Sequence, residues 1–178
     1  MEQILRSRPE PLTAAAFAPF GAVVETPRSG GRAANDGTAR RFDDIAPLVL
    51  GANGGRPQAS LFRVSPARLP LRVARLERHP LSTQLFLPIA AIPFLVVVAQ
   101  GRDAPDPATL RAFITNGRQG VDYAPGVWHH PVIAIGQETE FFALGRAQTA
   151  PGQDCDETAF PGGVVVEIEI AEGGGDFA

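Results

Sequence analysis

A chain of 178 residues, 44% hydrophobic and 20% charged, suits one globular domain able to bury about two-thirds of its unfolded surface. The net charge is −3 and all sixteen basic residues are arginine, so neither nucleic acid nor a membrane is an expected partner, and lysine chemistry (Schiff bases, pyridoxal phosphate anchoring, the phosphate-loop lysine) is excluded. The single cysteine, Cys155, excludes an internal disulfide and a Cys-rich zinc site; the flanking carboxylates of Asp154, Asp156 and Glu157 disfavour its thiolate, so an ordinary thiol is expected.

The first residues carry Glu2, Arg6, Arg8 and two prolines, with no apolar stretch of signal-peptide length. The longest apolar run, 85–99, contains two prolines and falls short of the ~20 residues that span a bilayer, so a soluble cytoplasmic protein is expected. Thr13 can cap a short helical turn through Phe17. β-Branched and aromatic runs predict a strand over 22–24; residues 28–40 lack periodicity and read as a surface loop, with Asn35-Asp36-Gly37 a turn signature. Further strands are predicted over 60–64, 71–77, 84–87 and 94–99. Asp106-Pro107 is an N-cap followed by proline at the first helical position.

Strands over 110–115, 121–124, 132–135, 140–144 and 164–170 complete the pattern. In the last of these Glu167 and Glu169 share one face; paired carboxylates can do acid–base work, but this spacing marks a solvated face. Residues 172–178, with three consecutive glycines, are expected to fray. The 19 glycines and 17 prolines punctuate the chain throughout and mark no domain boundary, so a single domain over 1–178 is expected. Short strands between turn signals predict a mainly all-β fold, a sandwich or barrel with a few short helices.

The three histidines fall in two compact segments. In Leu76-Glu77-Arg78-His79-Pro80-Leu81-Ser82-Thr83-Gln84, Glu77 and His79 lie two apart and project to one face of a strand. In Gly120-Val121-Asp122-Tyr123-Ala124-Pro125-Gly126-Val127-Trp128-His129-His130-Pro131, the Pro125-Gly126 turn swings His129 back toward the sheet. His130, next along the strand, is expected to face away. Tyr123 and Trp128, the only residues of their kinds, read first as packing.

Gly120-x4-Pro125-Gly126-x-x-His129 resembles the second motif of the cupins, small jelly-roll barrels with an internal metal. The first cupin motif, His-x-His-x3–4-Glu, then aligns with Glu77-x-His79-x4-Gln84, so two of the four usual metal positions have changed. A neutral amide oxygen is a weaker donor than a carboxylate. The set Glu77, His79, Gln84 and His129 could hold a divalent ion such as nickel or zinc weakly, or bind substrate without one.

Longer strings resemble the ureidoglycolate lyase family: the segment 76–84, Leu110-Arg111-Ala112-Phe113-Ile114-Thr115-Asn116-Gly117, Gln119-Gly120-Val121-Asp122-Tyr123 and Trp128-His129-His130-Pro131. Weaker matches are Phe20-Gly21-Ala22-Val23-Val24-Glu25, Asn35-Asp36-Gly37, Arg68-Leu69-Pro70-Leu71 and Asp154-Cys155-Asp156. This likeness implies a cupin-like jelly-roll β-barrel and a urea-releasing carbon–nitrogen lyase of the amidine-lyase type. Such an enzyme cleaves (S)-ureidoglycolate to glyoxylate and urea in allantoin and purine catabolism, as a homodimer, with no organic cofactor.

Breaking that C–N bond needs a base on the hydroxyl, an acid at the departing nitrogen and a cation for the carboxylate. His79 or His129 is the expected base; the other imidazole, or Glu77 if burial raises its pKa, is the expected acid. Gln84 and Asn116 are candidates for the ureido group, Arg63 or Arg111 for the carboxylate, and Tyr123 and Trp128 for the pocket wall. The alternatives are a non-catalytic cupin that captures a small acid, a different metal-dependent cupin enzyme, and hydrolysis of the same substrate with release of ammonia.

Overall fold

The computed structural model describes residues 3–147 and 153–170. In chain order its elements begin with β1 (Gln3–Ser7), β2 (Glu10–Pro11), α1 (Ala14–Phe17), β3 (Gly21–Val24), β4 (Arg32–Ala34) and β5 (Ala39–Arg41). The central strands are β6 (Pro57–Val64), β7 (Leu71–Val73), β8 (Arg75–Arg78), β9 (Gln84–Pro88), β10 (Phe94–Ala99), β11 (Arg111–Ile114) and β12 (Gly120–Tyr123). Then come β13 (Trp128–His129), β14 (Ile133–Ala134), β15 (Thr139–Arg146), β16 (Asp156–Ala159) and β17 (Val164–Ile168). Among the described residues, no helix is long and apolar enough to cross a membrane.

All ten expected strands form. One sheet runs β3-β12-β9-β15-β6, and another β16-β8-β13-β10-β11-β2 with β14 also on β10. Consecutive strands switch sheets: β8 and β9 lie in different ones, as do β9 and β10, β11 and β12, and β12 and β13. That alternation is the jelly-roll pattern, and the all-β expectation is borne out. A third sheet, β1-β17-β7, packs behind the second.

Two cores result. Phe86, Val121, Tyr123 and Phe141 of the first sheet meet Phe94, Val96, Val98 and Phe113 of the second inside the barrel. Leu95, Val97, Ala99, Ala112 and Trp128 project from the other face of the second sheet onto Val73, Val164, Val166 and Ile168. Strand β10 is thus buried on both faces within the chain, which is why it reads as an unbroken apolar run rather than an alternating one. Truncating Phe94, which has no exposed surface, should cost about 3–5 kcal/mol.

The two short helical signals are also present. Thr13 Oγ1 accepts from the Ala16 N–H at 3.2 Å, and the Asp106 side chain caps Ala108 at 3.0 Å. Three departures have physical causes. The expected loop 28–40 contains a two-stranded hairpin, β4 on β5, turned by Asn35, Asp36 and Gly37, all at positive φ. Arg32 and Arg41 converge on the Asp43 carboxylate at 3.0 and 2.6 Å; such a polar ribbon has no apolar face to leave a periodic signal.

The run 71–77 divides into β7 and β8, which join different sheets, the Ala74 carbonyl between them accepting from the Phe160 N–H. The last strand ends at Ile168; Glu167 and Glu169 pair with Arg6 at 4.0 and 3.6 Å on a solvated face. The tail 172–178 lies outside the described residues.

Candidate active site

The two histidine-bearing segments are tied to each other by backbone. Gly126 sits at φ +79°, a conformation that glycine adopts without steric cost, and its N–H donates to the His79 carbonyl at 2.8 Å. After this turn, β13 pairs His129 with Val98 of β10 on one side and with Glu77 of β8 on the other. Residues directly opposite on antiparallel strands have Cβ atoms about 5 Å apart, so Glu77 and His129 become side-by-side groups facing the barrel interior.

Glu77 Oε1 stands 3.5 Å from His129 Nε2, and Gln84 Oε1, from β9, stands 3.1 Å from the same nitrogen. His129 Nδ1 lies 2.9 Å from the Val127 carbonyl, so that ring nitrogen donates there. Tyr123 lies flat against the buried His129 ring. The His79 ring is 5.4 Å from that of His129, and its Nδ1 lies 2.5 Å from the Asp154 carbonyl. With Nδ1 donating, His79 Nε2 carries the lone pair; it is buried and has no hydrogen-bond partner among the described residues.

Asp154 does more than accept from His79. Its carboxylate accepts the Leu81 N–H and the Ser82 hydroxyl, each at 2.6 Å, which pins the turn that follows His79. Burial pulls the Glu77 carboxyl upward, but the hydrogen bond and charge of His129, with His79 and His130, outweigh it and leave the group below the ordinary carboxylate value. Glu77 is therefore a carboxylate at neutral pH, and the condition on which it would serve as the acid, a pKa raised by burial, is not met. Burial pushes the Cys155 thiol up, aided by Glu77, Glu157, Asp156 and Asp154, as an inert thiol requires.

Beside this cluster is a cavity of about 150 Å³, lined by His79 and Gln84 together with Gln58, Ser60, Ser82, Thr83 and Arg146. It is comparable to a cavity that accepts benzene, far below the ~300 Å³ and more of drug-sized pockets. Arg146, at the end of β15, is 7% exposed. Its Nε and Nη2 both lie 3.3 Å from the Ala52 carbonyl, while Nη1 is buried without a partner among the described residues.

The structure thus brings Glu77, His79, Gln84 and His129 together, with Tyr123 behind the His129 ring. It does not bring the other predicted residues there. Arg63 is exposed on β6 and binds Glu140 at 2.8 Å; Arg111 binds Glu10 at 2.7 Å and lies over Phe113. Asn116 sits in an exposed turn and accepts from the Arg118 N–H. Trp128, one residue before His129, projects to the opposite face of its strand and is buried in the second core beneath the Arg78 guanidinium. His130 lies past the strand end with Nδ1 on the Pro131 carbonyl and does not line the cavity.

Residue order does not point to Ser60, Gln58 or Arg146 as cavity residues; Ser82 and Thr83 carry a signal as polar residues inside the first histidine segment, whereas nothing local marks Arg146.

A sequence model of the ureidoglycolate lyase family matches residues 4–167. The chain is 47% identical over 152 residues to a ureidoglycolate lyase of Burkholderia mallei, covering 85% of this chain and 88% of the relative. It is 46% identical over 151 residues to those of Pseudomonas paraeruginosa and Azotobacter vinelandii, covering 85% of this chain and 88% and 90% of the relatives. Among solved structures it is similar to a dTDP-sugar isomerase of Desulfovibrio desulfuricans, with TM-score 0.43, 16% identity, and 80% of this chain and 84% of that chain covered.

Proposed function

The chain belongs to the ureidoglycolate lyase family, and on that premise we propose that it cleaves ureidoglycolate to glyoxylate and urea by acid–base elimination at the Glu77–His79–His129 cluster. The observation that carries this reading is the buried, unpartnered Nε2 of His79 beside the cavity. The substrate carbon bears a hydroxyl, a carboxylate and a ureido nitrogen. His79 Nε2 takes the hydroxyl proton, the C–O bond becomes a carbonyl, and the C–N electron pair leaves on nitrogen, which must be protonated as urea departs.

His129 is suited to that second task. Its Nδ1 faces a carbonyl and its Nε2 faces the oxygens of Gln84 and Glu77, so both ring nitrogens are placed to carry a hydrogen. The Glu77 carboxylate supports the charge of such a ring. Gln84 can turn its amide from His129 to the ureido group, where both a donor and an acceptor are wanted. Gln58 and the hydroxyls of Ser60, Ser82 and Thr83 supply further polar contacts around the cavity.

The same donor set fits a divalent ion. One ligand atom each from Glu77, His79 and His129 lie within 4.8 Å of one another. The 3.5 Å between Glu77 Oε1 and His129 Nε2 is close to the ~3.4 Å edge of a tetrahedron with bonds of about 2.1 Å. These three residues, with Gln84 as a neutral fourth, would hold nickel or zinc on the same ring nitrogens, so the ion would take the place of the His79 base and act as a Lewis acid that lowers the pKa of the substrate hydroxyl.

The described residues are read as one lyase domain acting in the cytoplasm in allantoin breakdown. A homodimer is expected to form on the outer face of the first sheet, where Leu61 (74% exposed), Phe142 opposite it and Ile89 leave an apolar patch. Counting glyoxylate, urea and ammonia from purified protein, with and without a chelator, tests the reaction. Equal glyoxylate and urea is expected, and a chelator-sensitive rate would add the metal. Ammonia in place of urea would make the protein a hydrolase, and no turnover would leave a small-acid binder.

A further inference from the structure

The proposed reaction leaves the substrate carboxylate without a partner, and on that reading we propose that Arg146 holds it, making this arginine the residue that selects a small carboxylate over its neutral counterparts. Arg146 is 7% exposed at the end of β15, and no carboxylate among the described residues pairs with its guanidinium. A buried charge left in that state is costly unless something completes it. Ala52 takes Nε and Nη2 along one edge, which fixes the plane of the group.

Gly55 leaves the space that the side chain occupies: a Cβ there would lie 2.1 Å from Arg146 Nε. The edge that remains carries Nη1 and the outer hydrogen of Nη2, the two parallel donors that grip a carboxylate in bidentate fashion. Among the described residues Arg146 is the one arginine lining the cavity, and the other lining side chains are amides, hydroxyls, a phenyl ring, the Ala143 methyl and the His79 imidazole.

That composition suits a monoanion with hydroxyl and amide substituents. A phosphate dianion would require more positive charge, and a volume of about 150 Å³ is small for a nucleotide. An acid held at Arg146 lies beside His79, so the group that binds also presents the reacting carbon to the base. Arg63 and Arg111, whose guanidiniums are already engaged with Glu140 and Glu10, do not compete for it.

The test compares the dissociation constants of glyoxylate and its methyl ester by titration calorimetry in the wild type, Arg146→Gln and Arg146→Lys. The wild type should prefer the carboxylate by about 10–100-fold, the range for hydrogen bonds to charged groups. Arg146→Gln should abolish the preference, and Arg146→Lys should keep only part of it, since an ammonium cannot reproduce the fork. A folded Arg146→Gln that still prefers the carboxylate would overturn the proposal, as would a wild type that binds both alike. Should the Gln variant fail to fold for want of its anchor to Ala52, an undiminished preference in Arg146→Lys would equally overturn it. Turnover plays no part in this readout, so a protein that selects carboxylates without cleaving ureidoglycolate would refute the lyase reaction and leave the role of Arg146 standing.

Discussion

Tyr123 stacks on His129 with ring centroids 4.1 Å apart and planes only 11° apart. Because β12 is buried between β3 and β9, the phenol ring cannot move aside, and it clamps the imidazole in the plane that aims Nε2 at Gln84 and Glu77. Tyr123→Phe should keep the stack and most of the rate. Tyr123→Leu should lower kcat by about 3–10-fold, the equivalent of the ~0.5–1.5 kcal/mol of an aromatic pair, with KM little changed. Equal rates in the two variants would show that the ring only fills space.

The two imidazoles should fail in different ways. His79→Gln removes the free lone pair, and kcat should drop at least ~10²-fold with KM nearly constant, as for a lost proton acceptor. His129→Ala should lose a similar factor but should also lower thermal stability, because it empties a buried site between Tyr123 and Glu77 and strands that carboxylate. Steady-state kinetics and melting curves on both variants decide this; near-normal turnover in either would place that histidine among the packing residues.

Asp154 predicts an effect at a distance from the substrate. Its carboxylate holds Leu81 and Ser82 while its carbonyl holds His79 Nδ1. Asp154→Asn presents an amide N–H₂ to one of two donors, and the loss should be about 1.5–3 kcal/mol of stability. The loosened His79 should lower kcat more than it raises KM. Unchanged chemical denaturation would show that the turn is held by other contacts.

A buried carboxyl outside the site sets the pH dependence of stability. Asp122, on the outer face of β12, is 1% exposed, and burial pushes its pKa up to about 7, with the neighbouring Thr83 hydroxyl pulling it partly back. In the unfolded chain it titrates near ~3.9. Between those values the folded state retains a proton that the unfolded state has lost, so stability falls as pH rises from about 4 to about 7 and then levels off. Asp122→Asn should therefore raise the melting temperature by several degrees at pH 8 and by little at pH 4. A gain that does not depend on pH would exclude ionisation as the cause.

The β-branched runs, the turn glycines and the two histidine segments were readable from residue order because their causes are local: alternation, turn chemistry and motif spacing. Glu77, His79, Gln84 and His129 meet as the likeness to the cupin motifs implied, Glu77 and His129 through the pairing of β8 with β13 and Gln84 from β9 of the facing sheet. The hairpin β4–β5 and the parallel pairing of β1 with β17 left no such mark, being polar in one case and joined across the length of the chain in the other.

Arg146 shows where residue order alone runs out. Strand alternation groups it with Glu140, Phe142 and Leu144 on the outer face, and only the Ala52 carbonyl and the gap at Gly55 draw its guanidinium into the cavity wall. The same holds in reverse for Arg63 and Arg111, whose partners Glu140 and Glu10 are 77 and 101 residues away. Which histidines form the site was a matter of sequence; which arginine joins them was decided by packing, because a cation's availability depends on every carboxylate and carbonyl that the fold brings within reach.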